Sequence, residues 1–203
     1  GHSEKVLFMR VFVAVLVLIF SLQSWTKAED ISDFEIEGMS IGDSALNYFS
    51  ELDIKNNSMN YFKKKDYTPV QNDNYSFFKT YDAIDFIYKT NDSNYKIKRL
   101  SGILSYKNNI RDCYPKMKKI ADEIKLMVGN KVEILKGNHK THRSDPTGKS
   151  KYSFVYFIYD SGETINISCY DYSKEDGGED HLSVTVNSKE SRDFFALNPY
   201  EPY

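Results

Sequence analysis

The sequence predicts an α+β fold: an antiparallel sheet with helices packed on one face. Three observations lead there. Between residues 152 and 187 three apolar-rich runs are separated by short turns of Asp, Ser and Gly, the pattern of consecutive antiparallel strands. Cys113, Met117, Ile120, Ala121, Ile124, Met127 and Val128 recur at the three-and-four spacing that makes one stripe of a helix. Two strand-like runs, 83–89 and 95–106, flank Thr90-Asn91-Asp92-Ser93-Asn94, a composition that favours a hairpin turn.

The chain opens with an export signal in outline. Arg10 precedes an apolar run over 11–20, and Thr26-x-Ala28 places small residues where a signal peptidase cuts, before Glu29-Asp30. The expected division is therefore a signal peptide over 1–28 and a single α+β domain over 29–203. With Gly at position 1 and Met at 9, residues 1–8 read as an upstream extension. The alternative is an uncleaved anchor, which reaches the roughly 20 apolar residues of a membrane span only by burying Arg10.

Within the domain, Phe34 and Ile36 alternate with acidic residues and predict a short strand ending at Gly38. Asp43 can cap a helix whose apolar face is Ala45, Leu46, Phe49 and Leu52. Residues 59–74, rich in Lys, Asn and Tyr around Pro69, show no clean period and read as an irregular crossing. The hairpin follows, with Gly102 marking a bulge or a close backbone approach. Asp112 caps the long helix, Pro115 sits in its first turn and Gly129 stops it. After Val132, Ile134 and Leu135 comes a polar loop over 136–149. The run 152–159 is apolar on both faces, the mark of a covered central strand. In the next two strands Ile165, Ile167 and Cys169 share one face, and Leu182, Val184 and Val186 point inward. Asn187 and Glu190 have the spacing of a capping box for a short helix through Phe194, Phe195 and Leu197. The predicted order is strand, helix, hairpin, helix, three-strand meander, short helix.

Charge and cysteine usage bound the function. With 27 basic against 29 acidic residues the chain lacks the positive excess that neutralises phosphates, so no nucleic-acid partner is expected. The two cysteines, Cys113 and Cys169, can pair in an oxidising compartment, and closing the loop between them would stabilise the fold by roughly 4 kcal/mol.

No motif carries chemistry through a spacing test. Thr147-Gly148-Lys149-Ser150 ends like a phosphate-binding loop, but Arg143 stands where its first glycine belongs. His139 and His142, with His181 distant, fall short of a converging metal set. Asp171, Glu175, Asp176, Glu179 and Asp180 surround Gly177-Gly178 without the spacing of a calcium loop. Cys113 at a helix start would be an activated thiol only if unpaired. No catalytic residue, cofactor or metal is assigned. The 16 tyrosines and 13 phenylalanines are abundant, and Tyr152, Tyr156, Tyr170 and Tyr172 could either project from a sheet face as contact residues or pack beneath the helices. Asn56, Asn74, Asn91 and Asn166 head Asn-x-Ser sequons, to which no role is given.

The segment from Phe34 to Ser44, together with Asp160-Ser161-Gly162 and the run from Ile165 to Ser173, resembles uncharacterised small exported proteins of marine bacteria with A/T-rich genomes. That resemblance brings no activity with it. Gly38-Met39-Ser40 and the helix after Asp43 also resemble the opening of envelope modules of the BamE and β-lactamase-inhibitor-protein type, in which such a turn precedes a small helix-plus-sheet unit. The lipid-bearing cysteine at the cleavage point of lipoproteins is missing here. These features imply a periplasmic or secreted module that binds another envelope protein and keeps no membrane span after cleavage, its oligomeric state left open. The alternative is an envelope hydrolase or small-ligand-binding protein with its site near the 136–150 loop, at His139, His142, Arg143 and Lys149. A purely structural envelope component is the third reading.

Overall fold

The computed structural model describes residues 30–197 apart from 61, 63, 74 and 144, so the leader and its cleavage point lie outside the described residues. Seven strands form one antiparallel sheet: β1 (Tyr67–Asp73), β2 (Ala83–Lys89), β3 (Arg99–Ser105), β4 (Val132–Thr141), β5 (Lys151–Tyr159), β6 (Thr164–Asp171) and β7 (His181–Asn187). Their spatial order is β1-β2-β3-β7-β6-β5-β4. Among the described residues three helices accompany it, α1 (Glu51–Asn56), α2 (Cys113–Val128) and α3 (Lys189–Leu197), and the fold is α+β.

One face of the sheet is apolar and fully covered. Register aligns Val70, Phe86, Leu100, Val186, Ile165 and Phe157 across six strands, and all six are buried in the main core. On this face α2 lays Cys113, Met117, Ala121, Ile124 and Val128 against β5, β6 and β7. The chain before β1 adds Ile31, Phe34, Ile36, Met39, Phe49 and Ile54 to the same core, with the Phe49 ring stacked 5.7 Å from Phe86. A disulfide joins Cys113 to Cys169, 56 positions apart, with a Cα–Cα distance of 6.0 Å that suits such a bridge. It ties the start of α2 to β6.

Several elements differ from expectation. Residues 34–38 form no strand of the sheet. Glu37 and Gly38 take φ of 52° and 78° and close a tight turn bridging Ile36 and Met39. The Glu37 carboxylate accepts the N–H groups of Lys79, Thr80 and Tyr81 at 2.8, 2.6 and 2.9 Å, which holds this turn on the body of the protein. Burial pushes that carboxyl up, but the three donors outweigh it and leave Glu37 below the usual range. The helix expected after Asp43 is broken into a single 3-10 turn, Ala45–Asn47, capped by Ser44, and then α1, capped by Ser50. Asp43 instead accepts the Ser40 N–H and the Tyr48 hydroxyl.

The supposed crossing over 59–74 contains β1, and the first part of the supposed polar loop over 136–149, up to Thr141, belongs to β4. Both are edge strands, with one neighbour each. An edge tolerates Pro69, whose missing N–H would break a ladder inside a sheet, and it leaves Glu133, Leu135, Lys136 and Lys140 exposed. Between β2 and β3, residues 90–98 make a longer excursion, in which Ala45 donates to the Tyr95 carbonyl and Ile97 to that of Asp43. Gly102 lies in regular register, and the close approach is to a side chain: the Tyr81 ring lies over it. Asp112 stands at the cap position of α2 without a side-chain cap bond, whereas Gly129 ends the helix at φ 62°. In α3 the Ser188 hydroxyl accepts the Ser191 N–H, while Asn187 donates to Thr164 and Glu190 pairs with Lys89 and Lys98. The helices are not confined to one face. α3 packs on the opposite side, where Phe194 joins Phe62, Tyr67 and Ile87 in a second, smaller cluster.

Candidate functional site

The face opposite the main core is where polar chemistry collects. Period-two alternation sends Ile84, Phe86, Val184, Val186, Ile165 and Ile167 to the core, so the residues between them point the other way. Register then sets Asp85, Ser101, Thr185, Asn166 and Tyr156 side by side across β2, β3, β7, β6 and β5. The row is internally bonded in its middle: the Thr185 hydroxyl lies 2.8 Å from that of Ser101 and 2.9 Å from that of Ser183. Ser101, Ser183 and Thr185 are buried, although strands this polar would ordinarily face water.

At one end of this face the chain around Phe62, packed against α3, closes over the sheet and leaves a cleft of about 140 Å³. Met59, Phe62, Pro69 and Ile87 line its apolar side; Asp85 and Arg99 face it. The Arg99 guanidinium sits 4.9 Å from the centre of the Phe195 ring, and no hydrogen bond or ion pair engages it among the described residues. Asp85 Oδ1 and Asn166 Oδ1 are buried without a partner. Burial pushes the Asp85 carboxyl up to about 7; the Arg99 charge opposes that shift and Asp73 on β1 adds to it. Burial also lowers the Arg99 pKa from its ordinary value, against the pull of Tyr170, Asp85 and Tyr156. An unpaired guanidinium can hold a carboxylate or phosphate bidentately, and a carboxyl near 7 can exchange a proton at neutral pH.

The other end of the same face is aromatic. The Tyr152, Tyr170 and Tyr172 rings succeed one another at 6.1 Å, with His181 stacked 4.8 Å from Tyr170. The His142 ring stands edge-on to Tyr152, Tyr170 and Tyr172, its centre 5.3 Å from that of Tyr172. Burial holds both His142 and His181 below the ordinary histidine value.

The four residues anticipated as a ligand loop do not converge. His139 sits at the β4 bulge with φ 49°, exposed, donating its backbone N–H to Ser153 and placing its ring beside Tyr114. His142 shares the neighbours Tyr170 and Tyr172 with His181, whereas His139 lies beside Tyr114. Arg143 is exposed, and Lys149 is exposed and paired with Glu175. The phosphate-loop likeness also has a physical answer. Asp145 accepts the N–H groups of Thr147 and Ser150 at 2.7 and 2.6 Å, so two amides of that segment are already engaged. Those donors hold the Asp145 carboxyl well below its usual range. Of the acidic cluster, Glu175 pairs with Lys149, Asp176 accepts from Ser150, Glu179 from Ser105 and Lys107, and Asp180 from Tyr172. Among the described residues no three His, Cys, Asp or Glu side chains are placed to hold a metal. No helix among them is long and apolar enough to cross a membrane.

Asp85 and Arg99 are absent from the candidates that sequence motifs single out. The available signal was Asp85 alone within Ala83-Ile84-Asp85-Phe86-Ile87-Tyr88, a charge inside an otherwise apolar strand. No family model, curated protein or solved structure matches this chain.

Proposed function

We propose that the chain is an exported domain that holds a small polar ligand in the cleft between the sheet and the chain around Phe62, with Arg99 and Asp85 as its principal contacts. The observation that carries this reading is the pair of opposite charges lining one partly enclosed cleft, Arg99 without a hydrogen bond or ion pair among the described residues and Asp85 with its Oδ1 buried and unpartnered. Unpaired buried charge is costly to a fold, and a site for a complementary ligand accounts for its retention. Export is supported by the basic-apolar-small pattern before Glu29 and by the disulfide between Cys113 and Cys169, which belongs to an oxidising compartment such as the periplasm or the exterior. The resemblance of the Gly38-Met39-Ser40 region to envelope modules agrees with that location.

A thermal-shift screen of small carboxylates, amines, sugars and amino acids tests the proposal on the wild type and on Arg99→Gln and Asp85→Asn. At least one class should stabilise the wild type and fail to stabilise a folded variant. A screen without any stabilising class, or with stabilisation indifferent to both substitutions, overturns it.

A second reading, docking of another envelope protein, draws on the aromatic end of the face, where Tyr152, Tyr170 and Tyr172 are half-buried and offer large rigid contact areas. Tyr172→Ser should then release a co-purifying partner without moving the ligand-induced shift. Retention of the partner would count against this reading.

A further inference from the structure

We infer that the cleft takes a small zwitterion, a molecule bearing both a carboxylate and a primary ammonium group on a compact apolar side chain, as a free amino acid does. The inference rests on the ligand-binding reading above and deepens it.

Strand register places the two charges. Asp85 on β2 stands opposite Ser101 on β3, and Arg99 is two residues from Ser101 on the same strand. Asp85 and Arg99 are therefore diagonal neighbours on one face, about 7–8 Å apart at that spacing. They feel each other electrostatically, yet no ion pair joins them among the described residues. The gap leaves room for a ligand that touches both.

Charge balance then selects among ligand classes. A simple anion would satisfy Arg99 but place a second negative charge near Asp85, whose other charged neighbour, Asp73 on β1, is also negative. A simple cation would satisfy Asp85 and confront Arg99. A sugar would leave both charges uncompensated. A carboxylate on the Arg99 fork and an ammonium on the Asp85 carboxylate neutralise the two together, and Ser101, which also lines the cleft, stands between them.

Size and lining point the same way. The cleft measures about 140 Å³, and an apolar cavity of about 150 Å³ is known to admit a benzene. Met59, Phe62, Pro69 and Ile87 form an apolar wall beside the charged pair. A side chain the size of that of leucine or phenylalanine fills such a space; a peptide or an oligosaccharide does not.

The test is calorimetric titration of the full chain with L-leucine and L-phenylalanine, and with leucine stripped of one group at a time: isocaproate, which lacks the ammonium, and isoamylamine, which lacks the carboxylate. At least one amino acid should bind, and removing either group should weaken binding about tenfold or more, the weight of a charged hydrogen bond. Arg99→Gln should abolish the advantage of leucine over isoamylamine, and Asp85→Asn its advantage over isocaproate. Because the ammonium needs an ionised Asp85, affinity should rise between about pH 5.5 and 8.

Isocaproate binding as tightly as leucine, and weakening as the pH rises, would overturn the inference in favour of an anion site shared with a protonated Asp85. The ligand-binding reading would survive that result. Failure of all four probes also overturns the zwitterion, while the broader screen above decides separately whether the cleft is a ligand site at all.

Discussion

Asp85→Asn keeps the shape of a side chain and removes its charge, and its consequence for stability follows from the burial of that carboxyl. Folding raises the Asp85 value from 3.8 to about 7. Between those values the native state holds a proton that the unfolded chain has released, so stability falls as the pH rises from about 4 to about 7 and is level above that. At about 1.4 kcal/mol per pH unit the gap corresponds to about 4 kcal/mol. Asp85 keeps some exposure on the cleft, where water screens it, and we expect about 2 kcal/mol of that to be measured. The variant lacks this penalty. Urea denaturation of both proteins at pH 5 and pH 8 reads it as a difference in midpoint at unchanged slope. The variant should gain on the wild type by about 2 kcal/mol on going from the lower pH to the higher. Comparing the two proteins cancels the opposite trends of Glu37 and Asp145, whose lowered values contribute stability that is lost in acid. It also cancels those of His142 and His181, whose burial as neutral rings favours higher pH. An equal difference at both pH values would mean that Asp85 titrates alike in folded and unfolded chains and carries no such penalty.

Three further outcomes test other parts of the structure. Removing the disulfide by Cys113→Ala with Cys169→Ala should lower stability by about 4 kcal/mol through the entropy regained by the unfolded chain; labelling of both thiols in the native wild type would show that the bridge does not form. Gly102→Ala would set a methyl group 2.7 Å from three atoms of the Tyr81 ring, and displacing that ring should cost about 1–3 kcal/mol in a thermal melt. An unchanged melting temperature would mean that the ring gives way freely. Thr185→Val strips the hydroxyl that joins Ser101 to Ser183 and should cost about 1–3 kcal/mol, since both serines are buried. Thr185→Ser should restore most of it, and equal loss in the two variants would place the effect in packing instead.

The covered half of the fold is legible in the amino-acid sequence. The stripe from Cys113 to Val128 forms α2, and the inward sets Ile165, Ile167, Cys169 and Leu182, Val184, Val186 all enter the main core. The pairing of Cys113 with Cys169 has the same physical basis, because a helix stripe and a strand face that bury together bring their cysteines within reach. Edge strands are the weak point. β1 and β4 have one neighbour each and need no alternation to be stable, so their sequences resemble loops.

Hydrophobic period and turn chemistry are local, decided by interactions a few residues apart, and they are what the amino-acid order alone records, with the two cysteines carried on the faces that those periods define. Tertiary structure decided the meaning of the other face. Ser101, Ser183, Thr185 and Asn166 occupy the positions that alternation assigns to solvent, and only the joining of β3 to β7 sets them side by side with Asp85. Only the return of α3 across that face carries Phe194 and Phe195 to Phe62 and Arg99, two residues that line the cleft. Such contacts join residues more than eighty positions apart on strands distant in the chain, and no local pattern records them, because burial of a polar side chain depends on what else arrives to cover it.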